Sequence, residues 1–397
     1  MGSHSGPYIV NDGLVFAYDM DNAAKSFKGK PTTNIITITD LDTGWSQGYN
    51  TSIQWNDYIP PQGVNSQVVS FIDADGNGSG YWYSYGDYAP QQPSTTYTIS
   101  VYARTIGSDW SIRAYTADNS EVGRQYTNIL TVPGDGKWHR LEFDSITTPS
   151  NTESDSLSFL FSNIPAGQRC WLCAPQMEEG SFATPFVNGT RSNTQALLDM
   201  SKSKNTITAT SLTYNSDGTF RLNSSNPDYL DLGSDKIIKT SGGWTVETWI
   251  KYDAVPGGYD NINSPGNFIG SDSVSYNSWY WSVFNGKLAL WNISPGTWKY
   301  GSTTLQANTW YNAVLVSDPS GTSYQMYLNG VAEGGNHTTY SWNPSYSGLR
   351  VRYIGIANAS NIRRLNGMVP VTKIYDKALT AAEIKQNFNA TRGRFGI

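Results

Sequence analysis

Residues 280–292 read YWSVFNGKLALWN. Asn285-Gly286 is the two-residue signal of a type I′ hairpin, because both turn positions need positive φ and these two residues tolerate it. On either side large apolar or aromatic residues alternate with others, the period-2 pattern of a strand. The stretch therefore predicts two antiparallel strands. SYQMYLNGVAE, residues 323–333, repeats the pattern around Asn329-Gly330. Asp217-Gly218 and Asn366-Gly367 give the same hairpin signal, and TVETWIKY, residues 245–252, alternates too. Turn signals recur roughly every ten residues. The expectation is an all-β protein of sandwich or jelly-roll domains.

One helix breaks the pattern, in LTAAEIKQNFNATRG, residues 379–393. Thr380 is an N-cap and Glu383, three residues on, completes a capping box; Leu379 and Ile384 form a hydrophobic staple. Gly393 offers a left-handed stop.

Composition agrees with this class. The chain has 397 residues, enough for two or three domains. Charged residues are only 15% and aromatic ones 13%, with 26 Tyr and 14 Trp. Such rings suit strands, and together they also suit a surface that stacks on sugars. Charge is uneven: residues 31–185 hold sixteen Asp and Glu against six Lys and Arg, whereas from Arg350 onward nine Lys and Arg face two acids. The basic end is too diffuse for nucleic acid. No apolar run is long enough to span a membrane, and MGSHSGPYIVND lacks a signal-peptide pattern.

Catalytic and metal chemistry have little to stand on. Cys170 and Cys173 form a lone CxxC with no second pair for zinc, and three residues apart on a strand they face opposite sides. They are expected to be ordinary strand residues. A glycosidase of this architecture needs two carboxylates about 5–9 Å apart. Glu178-Glu179 are adjacent and expected at a solvated strand end; Glu247 stands alone. Of the three His, His139 falls in a strand-like run and His337 in a Gly-Asn loop. No phosphate loop or nucleophile elbow is present. A non-enzymatic protein is expected.

VVSFIDADGNGSGYWYSYGDY, residues 68–88, contains the first half of a helix-loop-helix calcium motif. The twelfth position from Asp73 is Ser84 rather than Glu, and both flanks are strand-like. A polar turn is the first reading, with no cofactor; a loop-type calcium site at Asp73, Asp75 and Asn77 is the alternative. Binding residues are sought among the rings. In GYWYSYGDY, Tyr81, Tyr83 and Tyr85 share a face and Trp82 takes the other. In SYNSWYWSVF, Trp279 and Trp281 share a face opposite Tyr280; in SPGTWKYGS, Trp298 and Tyr300 lie beside a turn. The glycan-binding candidates are Tyr81, Trp82, Tyr83, Tyr85, Trp279, Trp298 and Tyr300, with Trp298 and Tyr83 favoured over Trp281 as exposed rings. Such a site is shallow, and useful affinity needs several copies.

GLVFAYDMDNAAKSF (13–27), the run from Leu197 to Gly233, WTVETWIKY (244–252) and NGMVPVTKIYDKALTAAEIKQNF (366–388) resemble the successive landmarks of a concanavalin A-like, laminin-G-type jelly roll. Pro370 and Val371 stand where many members carry an acidic pair. That departure and the ending NFNATRGRFGI look most similar to copies in virion structural proteins of tailed bacteriophages. Between the first two landmarks, STTYTISVYART, GDGKWHRLEFDSI and CWLCAPQMEEGSFATPFVNGTR resemble a carbohydrate-binding-module-like jelly roll. The resemblances imply two β-sandwiches, one nested in the other, with a short C-terminal helix. Residues 1–30 would be an N-terminal arm and first strand, 31–187 the inserted module, and 188–397 the remainder of the laminin-G-like domain, with crossings at Lys30-Pro31 and Asn188-Gly189. They also imply a multi-copy virion surface protein, on tail fibre or capsid, whose partners are other virion proteins and host-surface glycans, with no nucleic acid and no membrane insertion. A purely architectural version stays open. The alternative is a secreted bacterial polysaccharide-binding protein or an inactive glycoside hydrolase relative.

Overall fold

The structure is a computed structural model. It describes residues 8–36, 45–48, 51–55, 58–73, 80–84, 89–117, 124–150, 156–215, 219–226, 228–238, 242–258, 266–270, 279–292, 297–320, 323–337, 349–357 and 363–397. The chain divides into two compact units. The first comprises residues 1–30, 193–215 and 219–397; the second comprises 31–192 with 216–218. No described helix is long and apolar enough to cross a membrane.

In the first unit, Leu14–Asp19, Gly367–Tyr375, Trp244–Tyr252, Tyr311–Ser317, Tyr324–Leu328 and Val331–His337 form an antiparallel sheet in that order. A four-stranded sheet runs Gly266–Ile269, Trp279–Phe284, Lys287–Asn292, Thr297–Tyr300. Phe16, Val246, Leu315 and Ile374 of the first sheet share one core with Trp279, Trp281, Leu288 and Leu290 of the second. A three-stranded sheet, Thr208–Thr210, Tyr229–Ile238 and Leu349–Ile354, meets the four-stranded one where Gly270 pairs with Tyr353. A Cβ at position 270 would lie 2.1 Å from the Ile356 carbonyl oxygen, so this crossing needs glycine.

The turns follow the sequence closely. Asn285 and Gly286 have φ of 50° and 73°, and Asn329 and Gly330 of 52° and 75°, as type I′ hairpins require. Asn366-Gly367 is different. Gly367 begins a strand and exchanges backbone hydrogen bonds with Leu222, at 2.9 and 3.0 Å, so it marks a close backbone approach and not a hairpin tip. Asp217-Gly218 lies outside the described residues. The Asp199 landmark has a plain cause: its carboxylate accepts hydrogen bonds from Ala17 N, from Ser201 N and Oγ, and from Asn205 N and Nδ2, all at 2.7–2.9 Å. One carboxylate thus ties its own turn to the first strand.

The helix Ala381–Thr391 carries the full capping box, and both staple residues, Leu379 and Ile384, are buried together. It continues into a 3-10 turn, Arg392–Phe395, and the left-handed stop is Gly396, at φ 74°, instead of Gly393. The helix covers the outward face of the first sheet. There Glu247 pairs with Lys373 Nζ at 2.9 Å and accepts from Asn312 Nδ2 and Asn387 Nδ2, at 3.2 and 2.7 Å.

The second unit packs two sheets. One contains Leu130–Val132, Trp110–Ala117, Ser156–Ser162, Gly80–Ser84 and Trp45–Gly48; the other contains His139–Glu142, Thr96–Thr105, Arg169–Glu179, Val68–Asp73 and Thr51–Trp55. Phe71, Trp82, Trp110, Phe159 and Phe161 fill the space between them. Cys170 faces this core and Cys173 the opposite side, both as free thiols. Burial pushes the Cys170 thiol up to about 12 and the Cys173 thiol higher still. Glu178 corrects the expectation of a solvated strand end. It is fully buried and accepts from Gln176 Nε2 (2.6 Å), Thr184 N (2.7 Å) and Thr184 Oγ1 (2.8 Å), while Glu179 is exposed. The returning segment that carries Thr184 supplies the donors a buried carboxylate requires.

Candidate functional site

The quoted hairpin builds the site. In Trp279–Phe284 the side chains of Trp279, Trp281 and Val283 enter the core, so Tyr280, Ser282 and Phe284 point the other way. Strand pairing then lines up two rows across the sheet. One row is Asn267, Ser282, Ala289 and Tyr300; the other is Tyr280, Trp291 and Trp298. Trp291 and Trp298 have ring centroids 5.2 Å apart, and Phe284 lies 4.8 Å from Trp298 and 6.2 Å from Tyr300. Trp291, Trp298 and Tyr300 are half-buried; Tyr280 and Phe284 are buried. Burial raises the Tyr300 phenol above its ordinary value, and a hydrogen bond with the Asn285 side chain pulls it partly back.

Two polar groups frame the rings. Arg363, at φ 57°, holds its guanidinium 4.8 Å from the Tyr280 centroid and accepts the Asn267 N–H on its backbone oxygen at 3.2 Å. The Asn267 side chain is fully buried, and neither its nitrogen nor its oxygen has a partner. A buried amide left unpaired is destabilising, and this one is closed to solvent. Among the described outward residues of these four strands there is no Asp or Glu.

The sequence candidates distribute as follows. Trp298 and Tyr300 lie together on this face. Trp279 does not: it is fully buried in the core, because the alternation that separates it from Tyr280 turns it inward. Trp82 is likewise fully buried, stacked on Phe159 at 5.8 Å. Neither ring is open to a sugar. Pairing places Tyr81 opposite Leu160 and Tyr83 opposite Ser158; their side chains, and Tyr85 altogether, lie outside the described residues. Asp75, Asn77 and the Asp73 side chain also lie outside them. Among the described residues no three His, Cys, Asp or Glu are grouped to hold a metal. His139 sits in its strand, 2.9 Å from Asp135, and that contact helps hold the Asp135 carboxyl below its usual range. His337 ends the strand Val331–His337, opposite Tyr324, instead of lying in a loop. Sequence reasoning missed Asn267, Phe284, Trp291 and Arg363; the only signal of the first three was a shared parity across neighbouring strands, and Arg363, outside the strands, had none.

Residues 224–385, which contain all of this face, match the concanavalin A-like lectin/glucanases superfamily. That stretch therefore has the concanavalin A-like lectin/glucanase fold. No curated protein sequence matches the chain. Among solved structures, the chain is similar to the N-terminal modules of a Clostridium thermocellum endo-1,4-beta-D-xylanase 10B complexed with xylohexaose, at 14% identity and TM-score 0.27, over 38% of this chain and 28% of that one. It is similar to the botulinum neurotoxin serotype D binding domain at 16% identity and TM-score 0.37, over 51% and 50%. It is similar to domain 4 of an extracellular arabinanase from Geobacillus stearothermophilus, in complex with arabinotriose, at 17% identity and TM-score 0.35, over 50% and 93%. The chain thus spans little more than a quarter of the xylanase structure and half of the neurotoxin domain.

Proposed function

We propose that this chain is a non-enzymatic, glycan-binding structural protein displayed in many copies on a tailed-bacteriophage virion, where it binds other virion proteins and host-surface glycans. The observation that carries the glycan reading is the trio of half-buried rings Trp291, Trp298 and Tyr300 on one face, with Trp291 and Trp298 centroids 5.2 Å apart. It offers apolar ring surface on which a sugar face can stack. Two points support the non-enzymatic reading. The described part of the face has no carboxylate. Glu247 is buried on the other sheet, with its oxygens engaged by Lys373, Asn312 and Asn387. The virion assignment rests on the resemblance of Pro370, Val371 and the C-terminal run to phage copies. Mass spectrometry of purified particles tests it: recovery of the chain in stoichiometric amounts is expected, and its absence from particles would leave the secreted polysaccharide-binding protein as the better reading.

A further inference from the structure

Arg104 in the second unit is a buried cation with no counter-charge among the described residues. It occupies an outward position of Thr96–Thr105, beside inward Ala103, and is only 6% exposed. Its guanidinium carbon lies 3.9 Å from the Tyr58 ring centroid and 4.7 Å from that of Trp171. Nε donates to the Gly136 oxygen at 2.8 Å, but Nη1 is buried with no acceptor. The indole N–H of Trp171, itself nine-tenths buried, also lacks one. Among the described residues no carboxylate pairs with Arg104, whereas Arg140 in the same sheet has Glu142 at 2.6 Å. Aromatic faces stabilise a guanidinium but supply no hydrogen-bond acceptor for its edge. A buried cation in this condition is costly unless something brings an anion to it.

We propose that the second unit carries its own binding site, in which Arg104 receives the carboxylate of a uronic acid residue within a glycan. A carboxylate provides the charge and an acceptor for Nη1, and a guanidinium edge binds it through two parallel hydrogen bonds. The flanking surface suits a sugar ring. Tyr58 is 42% exposed, Trp138 is half-buried, and their centroids are 6.3 Å apart. Trp138 Nε1 donates to the Ile59 oxygen at 3.0 Å and so fixes the Tyr58 segment over Arg104. The unit's sixteen acids against six bases over residues 31–185 repel a densely charged polyanion, which favours a glycan with sparse uronate.

The test titrates the full chain with a neutral oligosaccharide bearing a single galacturonate residue and with its carboxyl-reduced counterpart, by calorimetry and tryptophan fluorescence. The acid form is expected to bind about tenfold tighter, and Arg104→Met to erase that preference while the melting temperature stays within about 3 °C. Trp298→Ala, which alters the first unit's face, should leave the preference intact. Should Arg104→Met fail to fold, Arg104→Lys keeps the charge, loses the two-pronged edge, and should weaken the acid form about fivefold. Equal binding of the two sugars, a preference that survives both Arg104 variants, or one lost in Trp298→Ala would overturn the proposal. So would a glutamate-rich peptide that displaces the uronate at equal concentration, since the site would then serve a protein partner.

Discussion

At the scale of single residues, the buried acids separate structure from function. Glu247 and Lys373 are 1% and 3% exposed. Replacing Glu247 by Gln leaves Lys373 uncompensated and should cost about 3–5 kcal/mol. Chemical denaturation would show that loss, and glycan affinity per folded molecule should not move; a specific loss of sugar binding or turnover would contradict the structural assignment. Glu333 behaves differently. Burial alone would raise its pKa, but hydrogen bonds from the side chains and backbone of Ser302 and Thr303 outweigh that and hold the carboxyl below 4.5. A depressed acid contributes stability that is present above its unfolded value and lost as pH falls through its folded one. Wild type should therefore lose melting temperature on acidification below about pH 4.5, more steeply than Glu333→Gln. Parallel curves for the two proteins would refute this. The two buried thiols, with raised pKa values, should resist iodoacetamide in the native protein and react once it unfolds; rapid native alkylation would mean that the second unit's sheet packing is wrong.

At the scale of elements, what could be read in advance was whatever local chemistry decides. Asn285-Gly286 and Asn329-Gly330 announced hairpins because their φ values are set by those residues alone. Thr380 and Glu383 announced the helix start for the same reason, and Thr380→Ala should cost about 1 kcal/mol by denaturant titration; no loss would show the cap to be redundant with packing. The misreadings came where a partner distant in sequence decides. Gly367 looked like a turn but is pressed against Leu222. Glu178 looked solvated, but Thr184 folds back over it. Trp279, Tyr280 and Trp281 show how period 2 falls short: alternation separates the faces, but with aromatics on both it does not say which one is the core. The partners of Tyr280 on the outer face come from two further strands, and register is fixed by pairing, not by composition.

At the scale of the whole molecule, the low charge and abundance of rings serve two ends. Most large aromatics, Trp244, Trp249, Trp279 and Trp281 among them, build the first unit's packing. A minority, Trp291, Trp298 and Tyr300, remain half-buried on an outer face. The sequence total suggested a sugar-stacking surface, yet it could not assign individual rings, because burial depends on the fold that the rings themselves create. A shallow face of this kind gives weak single contacts, so multi-copy display would raise its effective affinity. The central claim is that the outer face of the four-stranded sheet binds glycan. A glycan array probed with wild type and Trp298→Ala tests it directly. Wild type should bind a defined set of sugars, and Trp298→Ala, folded as judged by circular dichroism, should bind the same set about tenfold more weakly, near 1.4 kcal/mol. Equal binding by the two proteins, or none by either, would contradict it.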